Sequence, residues 1–143
     1  MWKLALTALW LIAMSIFDLF EKRVPVWILA AGGIPAIVSA MYAYIKGTES
    51  LSQILFGMFP GVLLLAVAAV TRKAGWADGI VLLIMGLITD LWECMACFMV
   101  SLVAMSVVSL LLLVLRKVGK NAILPYIPFL CAGYLLSMVA WEV

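Results

Sequence analysis

Charged residues divide the chain into six apolar stretches, and this pattern restricts the fold more than any other feature. A membrane-spanning helix needs about 20 mostly apolar residues, so the second, third, fifth and sixth stretches are long enough to span, whereas the first and fourth are short. Because apolar residues run continuously rather than alternate, the pattern predicts helices and not a strand-built barrel. The stretches run roughly over Leu4–Phe17, Val26–Ile45, Leu51–Val70, Gly79–Thr89, Cys94–Leu115 and Ala122–Trp141.

The share of apolar residues predicts the solvent in which these helices fold. Hydrophobic residues make up 69% of the 143 residues and charged residues 11%, whereas an ordinary soluble domain is about 25% charged. We therefore expect an all-α integral membrane protein with about six transmembrane helices, in which residues 1–143 form a single membrane-embedded domain. The lipid bilayer is the partner that this composition requires. The net charge of only +2 gives no indication of nucleic-acid binding.

The distribution of Lys and Arg predicts the orientation of the chain in the membrane. Seven of the nine basic residues fall in the first, third and fifth loops, and only Lys3 and Lys46 fall on the other side. Basic residues favour the cytoplasmic face, so the sequence predicts cytoplasmic odd-numbered loops and both termini outside. The first stretch also has features of a secretory signal peptide, but a stronger positive cluster follows it and favours a retained span. The seven residues are Lys22, Arg23, Arg72, Lys73, Arg116, Lys117 and Lys120.

Two aspartates are predicted to lie at the cytoplasmic edge of this arrangement. Asp18 ends the first stretch and Asp78 opens the fourth, so both lie at the same depth and can meet. Asp90 lies 12 residues after Asp78, about 18 Å along a helix, which is too far for a shared proton. A carboxylate in or near hydrocarbon is costly and usually marks function. The simpler interpretations are a solvated helix-end residue for Asp18 and a helix N-cap for Asp78.

The residue inventory limits the chemistry open to this pair. The sequence has no histidine, which excludes HExxH metalloproteases, Ser-His hydrolases and most zinc sites. Cys94 and Cys97 are spaced C-x-x-C, but a lone pair in an apolar stretch is typical of packing residues. Two close carboxylates share one proton, so that one draws a proton from water while the other protonates a carbonyl or a leaving amine. This is aspartic-protease chemistry, and we expect it to need no metal and no cofactor.

Three short motifs resemble those of the type IV prepilin peptidases. DLFEKRVP, from Asp18 to Pro25, resembles their first motif, an aspartate followed by a basic stretch and an aliphatic–proline pair. GWAD, from Gly75 to Asp78, resembles their GxGD motif in the GxAD form of some members. LPYIPF, residues 124–129, resembles the proline-bearing start of their last helix. The likeness covers most of the chain, from the first stretch to the sixth.

The resemblance implies an intramembrane aspartic endopeptidase whose partner is a prepilin-like membrane protein substrate of a type IV pilus or related secretion system. Such an enzyme cuts the cytoplasmic leader of its substrate, so the resemblance implies a multi-pass protein of the cytoplasmic (inner) membrane with its active site at the cytoplasmic face. It implies that Asp18 and Asp78 are the catalytic pair. It also implies that Gly75 and Ala77 shape the turn that lets Asp78 approach the substrate.

The sequence departs from the family pattern in three respects. Ala77 replaces the second glycine of GxGD, and Ile80 stands where many members have lysine. The tetracysteine zinc module of the larger enzymes is missing. The resemblance therefore implies a minimal member of the family, a peptidase without the zinc and methyltransferase module.

Two other classes of function stay open from the sequence. A small ion- or proton-coupled transporter also uses intramembrane carboxylates and broken helices. Transporters place these carboxylates near the midplane of the membrane, whereas both aspartates here are predicted at one edge. The other class is an inactive structural relative of the peptidase. Cleavage of a co-expressed prepilin-like protein would separate these classes from the enzyme.

Overall fold

The computed structural model describes residues 2–72, 75–117 and 124–142, and within these ranges the chain is all-helical. The prediction of six helices is confirmed for this part of the chain. Two of the basic residues used to predict the orientation, Lys73 and Lys120, lie outside the described residues. The helices are α1 (Trp2–Glu21), α2 (Val26–Ile45), α3 (Leu51–Thr71), α4 (Trp76–Ile88), α5 (Leu91–Val114) and α6 (Ile127–Glu142).

Four of the described helices, α1, α2, α3 and α5, are long and apolar enough to cross a membrane. The first apolar stretch is short, but α1 has 20 residues because the helix continues through Asp18 to Glu21. A helix makes its backbone hydrogen bonds internally, so it does not have to stop where the side chains become charged. The prediction of a long sixth helix was wrong, because α6 has 16 residues. It begins only after Pro125, since a proline disfavours helical geometry in the residue before it.

The short helix α4 lies at the centre of the bundle. It packs along α3 and α2 and also contacts α5 and α1, while α6 packs between α1 and α5. Val81, Leu82 and Met85 of α4 are completely buried, as are Leu11 and Met14 of α1. The core therefore lies around α4, and the residues at the two ends of α4 are surrounded by the ends of longer helices.

Glycines bring α3 and α4 into close contact. Gly57 and Gly61 of α3 are spaced G-x-x-x-G, a pattern that lets two membrane helices approach closely. A Cβ added at Gly86 of α4 would overlap the backbone carbonyl of Gly57. A Cβ added at Gly61 would lie 2.5 Å from the backbone nitrogen of Leu83. The two backbones are in direct contact at these positions, so no side chain fits between them.

Gly86→Ala should lower the free energy of unfolding by about 2 kcal/mol, because the added methyl group forces two backbones apart. The loss is expected although alanine is the better helix former. Gly33→Ala is the matched control, since its Cβ would make an ordinary 3.4 Å contact with the flexible Ile84 side chain. Thermal unfolding midpoints in detergent measure both effects. Equal midpoints for the two variants would contradict the direct backbone contact.

Three helices end with a basic residue in the left-handed conformation. Lys22, Arg72 and Arg116 follow α1, α3 and α5 with φ angles of 51°, 52° and 52°. These helices run in the same direction through the bundle, so their ends lie on one side of it. Positive charge suits the C-terminal end of a helix, where the backbone carbonyls carry partial negative charge. On the opposite side, α2 is followed by Gly47 at a φ of 67°.

Candidate active site

Asp18 is the more buried member of the aspartate pair. It lies in the last turn of α1 and is only 8% exposed. The start of α6, at Ile127, lies beside its carboxyl group. The Oδ2 atom of Asp18 is buried and has no hydrogen-bond partner among the described residues. Leaving a buried polar atom unpaired costs free energy, so this oxygen is a candidate for a functional contact.

Asp78 lies in the first turn of α4 and is half-buried. Its interpretation as a helix N-cap was wrong, because Gly75 is the N-cap residue and Asp78 follows it by three positions. The side chain still lies near the positive end of the helix dipole. A Cβ added at Gly75 would lie 2.7 Å from Oδ2 of Asp78. Glycine at position 75 therefore leaves the space that the Asp78 carboxyl occupies.

One partly open cavity of about 820 Å³ brings the two aspartates together. The charge of Asp18 acts on the Asp78 carboxyl, so the two groups repel each other when both are ionised. The cavity is lined by parts of all three motifs that the sequence singles out: Asp18 and Lys22 to Val24, Gly75 to Asp78, and Leu124 to Tyr126. The end of α1, the start of α4 and the segment that precedes α6 are far apart in the sequence and thus form one site.

Several residues of the cavity had no role assigned from the sequence. Leu64 of α3 and Leu102 and Met105 of α5 contribute an apolar wall. No signal distinguishes them in the sequence, because they lie within uniformly apolar stretches. Tyr126 also lines the cavity. Its place in the LPYIPF motif marked it as a candidate residue, but the sequence did not predict what its side chain contacts.

The cysteines and the acidic residues Asp90 and Glu93 do not line this cavity. Cys94 and Cys97 are buried free thiols, which confirms their interpretation as packing residues. Asp90 is the N-cap residue of α5, and Glu93 lies in the first turn of that helix. Within the described ranges, no three His, Cys, Asp or Glu side chains come together in a way that would hold a metal ion.

The fold and the site define a class of protein: a multi-pass helical membrane protein in which two helices each supply one aspartate to a cavity at one end of the bundle. Residues 5–113 match the Type IV leader peptidase family, and the chain belongs to that family. The family assignment makes it a prepilin-peptidase-type protease in general terms. The match includes Asp18, Gly75 and Asp78 but ends before LPYIPF, so the likeness of that motif stays a prediction. Comparison with curated proteins and with solved structures gives no match.

Proposed function

We propose that the protein is an intramembrane aspartic endopeptidase that removes the cytoplasmic leader of prepilin-like membrane proteins. The observation that carries the proposal is that Asp18 and Asp78 line one cavity in a member of the Type IV leader peptidase family. The two residues come from different helices, so their meeting is a property of the fold and not of a local sequence motif.

In the proposed reaction the two carboxyl groups share one proton. The ionised carboxylate takes a proton from water as the water oxygen attacks the scissile carbonyl carbon, while the protonated carboxyl donates to the carbonyl oxygen. Proton transfer to the amide nitrogen then allows the C–N bond to break. One water is consumed, and one carboxyl group and one amino group form. The repulsion between Asp18 and Asp78 supports this scheme, because it favours a single shared proton.

Gly75 and Ala77 are proposed to shape the approach of the substrate to Asp78. Both line the cavity, and neither has a side chain larger than a methyl group. A scissile peptide must be extended to be attacked, and small neighbours leave room for its backbone beside the carboxyl. The apolar wall formed by Leu64, Leu102 and Met105 suits the hydrophobic helix that follows the leader.

The site is proposed to face the cytoplasm from the inner membrane. Lys22 and Arg23 line the same cavity as the aspartates, and basic residues mark the cytoplasmic face. Because the cavity is partly open and lies at the end of the bundle, water reaches it without a long channel. The cleaved bond therefore lies at the cytoplasmic edge of the membrane, next to the apolar helix of the inserted substrate.

The product of cleavage tests this function. Purified protein reconstituted into vesicles with a prepilin-like substrate should yield a shortened membrane protein with one new N-terminus, identified by mass spectrometry. Asp78→Asn protein in the same vesicles is the control and should yield the uncut substrate alone. Cleavage on the outer face would contradict the proposed orientation. Ion flux through the vesicles without cleavage of any suitable substrate would favour the transporter instead.

A further inference from the structure

We propose that an anionic phospholipid binds in a second cavity, which lies between α1 and α2 at the end of the bundle opposite to the aspartates. Lys3, at the mouth of this cavity, binds the lipid phosphate, and one acyl chain fills the space behind it. The second cavity shares no lining residue with the cavity of Asp18 and Asp78. The proposal therefore does not depend on the proposed function.

The second cavity is partly open and has a volume of about 210 Å³. It is lined by the first half of α1, by α2 and by Ile88, the last residue of α4. Because Asp18 and Asp78 lie at the other ends of α1 and α4, the two cavities are at opposite ends of the bundle. Along α1 the second cavity reaches from Lys3 to Trp10, which is about 10 Å. One leaflet contributes about 15 Å of hydrocarbon, so the cavity is confined to a single leaflet.

Trp10 closes the inner end of the second cavity. Its indole N–H donates to the backbone carbonyl of Ile28 in α2 at 2.9 Å. Its ring lies so close to Gly32 of α2 that a Cβ added at Gly32 would overlap it. A transmembrane helix of a partner protein would have to continue past this contact, whereas an acyl chain can end at it. The shape of the cavity thus favours a lipid chain over a helix.

The wall of the second cavity offers little to a polar ligand. The Thr7 hydroxyl donates to the backbone carbonyl of Lys3, and the Ser39 hydroxyl donates to that of Ala36, each at 2.8 Å. The protons of both hydroxyl groups are therefore used within their own helices. Apart from Lys3 and the bonded indole of Trp10, the other lining residues have no polar side-chain atom. Water needs about two to four polar partners in such a space, so hydrocarbon is the matching occupant.

Lys3 gives the second cavity its preference for an anionic lipid. Among the described residues that line it, Lys3 alone is charged, and it has no ion pair or ring contact in the described part of the chain. Lys46, the other basic residue predicted on this side, has a partner, because its ammonium group lies 4.9 Å from the centre of the Tyr42 ring. Lys3 begins a membrane-spanning helix and so lies at the depth of the lipid headgroups. An unpaired ammonium group at this depth attracts a phosphate, whose acyl chain then enters the cavity.

Titration of the purified protein with dioleoylphosphatidylglycerol in detergent micelles tests the charge of the ligand. Native mass spectrometry should find one retained lipid per chain, and the thermal unfolding midpoint should rise with added lipid, because the lipid binds the folded state. Dioleoylphosphatidylcholine has the same chains but no net charge, and it should raise the midpoint less. Lys3→Gln should weaken binding of phosphatidylglycerol roughly fivefold, as for the loss of one charge at the headgroups. Lys46→Gln is the matched control and should leave binding unchanged.

Ala31→Phe tests the place of the acyl chain, and Ala30→Phe is its matched control. The two alanines are adjacent and exposed in α2, but only Ala31 lines the second cavity. Ala31→Phe fills the cavity, so the protein should lose the retained lipid and its midpoint should no longer respond to phosphatidylglycerol. Ala30→Phe should bind the lipid as the unaltered protein does. Equal responses to the two lipids, unchanged binding in Lys3→Gln, or a retained lipid in Ala31→Phe would each overturn the proposal.

Discussion

Asp18→Asn and Asp78→Asn should each abolish cleavage, with kcat lowered at least about 1,000-fold. Asparagine has nearly the shape of aspartate but has no carboxyl proton to give or take, so the pair loses its shared proton. The double variant should be no worse than either single variant, because the two residues act as one unit. Initial rates on a prepilin-like substrate in vesicles measure these losses, and the amount of inserted protein shows that folding is retained.

Asp90→Asn is the control for these two variants. Asp90 is an exposed N-cap residue of α5 and does not line the cavity, and asparagine caps a helix about as well as aspartate. This variant should keep most of its activity. An inactive Asp90→Asn protein together with an active Asp18→Asn protein would show that the wrong carboxylates have been assigned.

Gly75→Ala should lower kcat by about 100-fold, because it displaces the Asp78 carboxyl. The added Cβ would lie 2.7 Å from Oδ2 of Asp78, closer than two such atoms approach. Gly75 has φ of −72° and ψ of 128°, a conformation open to any residue, so the backbone is not strained by the change. The expected effect is therefore on the position of one side chain and not on the fold.

The measurement for Gly75→Ala is the rate of cleavage together with the thermal unfolding midpoint. The rate should fall while the midpoint stays close to that of the unaltered protein. Gly33→Ala controls for the cost of adding a methyl group to this protein in general, and it should keep both values. Full activity of Gly75→Ala would show that the space beside Asp78 is not needed for cleavage.

The apolar stretches predicted the number of helices and many of their ends. The bounds of α2 agree with the predicted stretch, and α3 extends it by one residue. Both are bounded by charged or polar residues and turn-forming residues, which the sequence displays directly. The ends of α1 and α6 were missed because hydropathy reports contact with lipid, whereas helix ends are decided by backbone hydrogen bonds and by proline.

The candidate site was predictable where the chemistry is local. Asp18 and Asp78 stand out because a carboxylate beside an apolar stretch is rare. Asp78 is also the last residue of the GWAD motif. The 2.6 Å hydrogen bond between the hydroxyl groups of Tyr126 and Ser101 of α5 was not predictable, since Ser101 lies in an apolar stretch that could face lipid or protein on any side. Such contacts depend on which side of each helix faces its neighbours. A uniformly apolar helix has no sequence pattern that shows which side this is.

The left-handed residues that end α1, α3 and α5 bear on how the chain enters the membrane during synthesis. A side chain in this conformation costs roughly 1–2 kcal/mol, which glycine avoids, as Gly47 does after α2. Glycine at Lys22, Arg72 and Arg116 would therefore stabilise the finished helix ends. In the proposed orientation, it would also remove three of the positive charges that favour a cytoplasmic position of these loops during insertion. If the proposed orientation holds, insertion favours a basic residue at these three positions whereas the helix ends favour glycine, and the chain has the basic residue at all three.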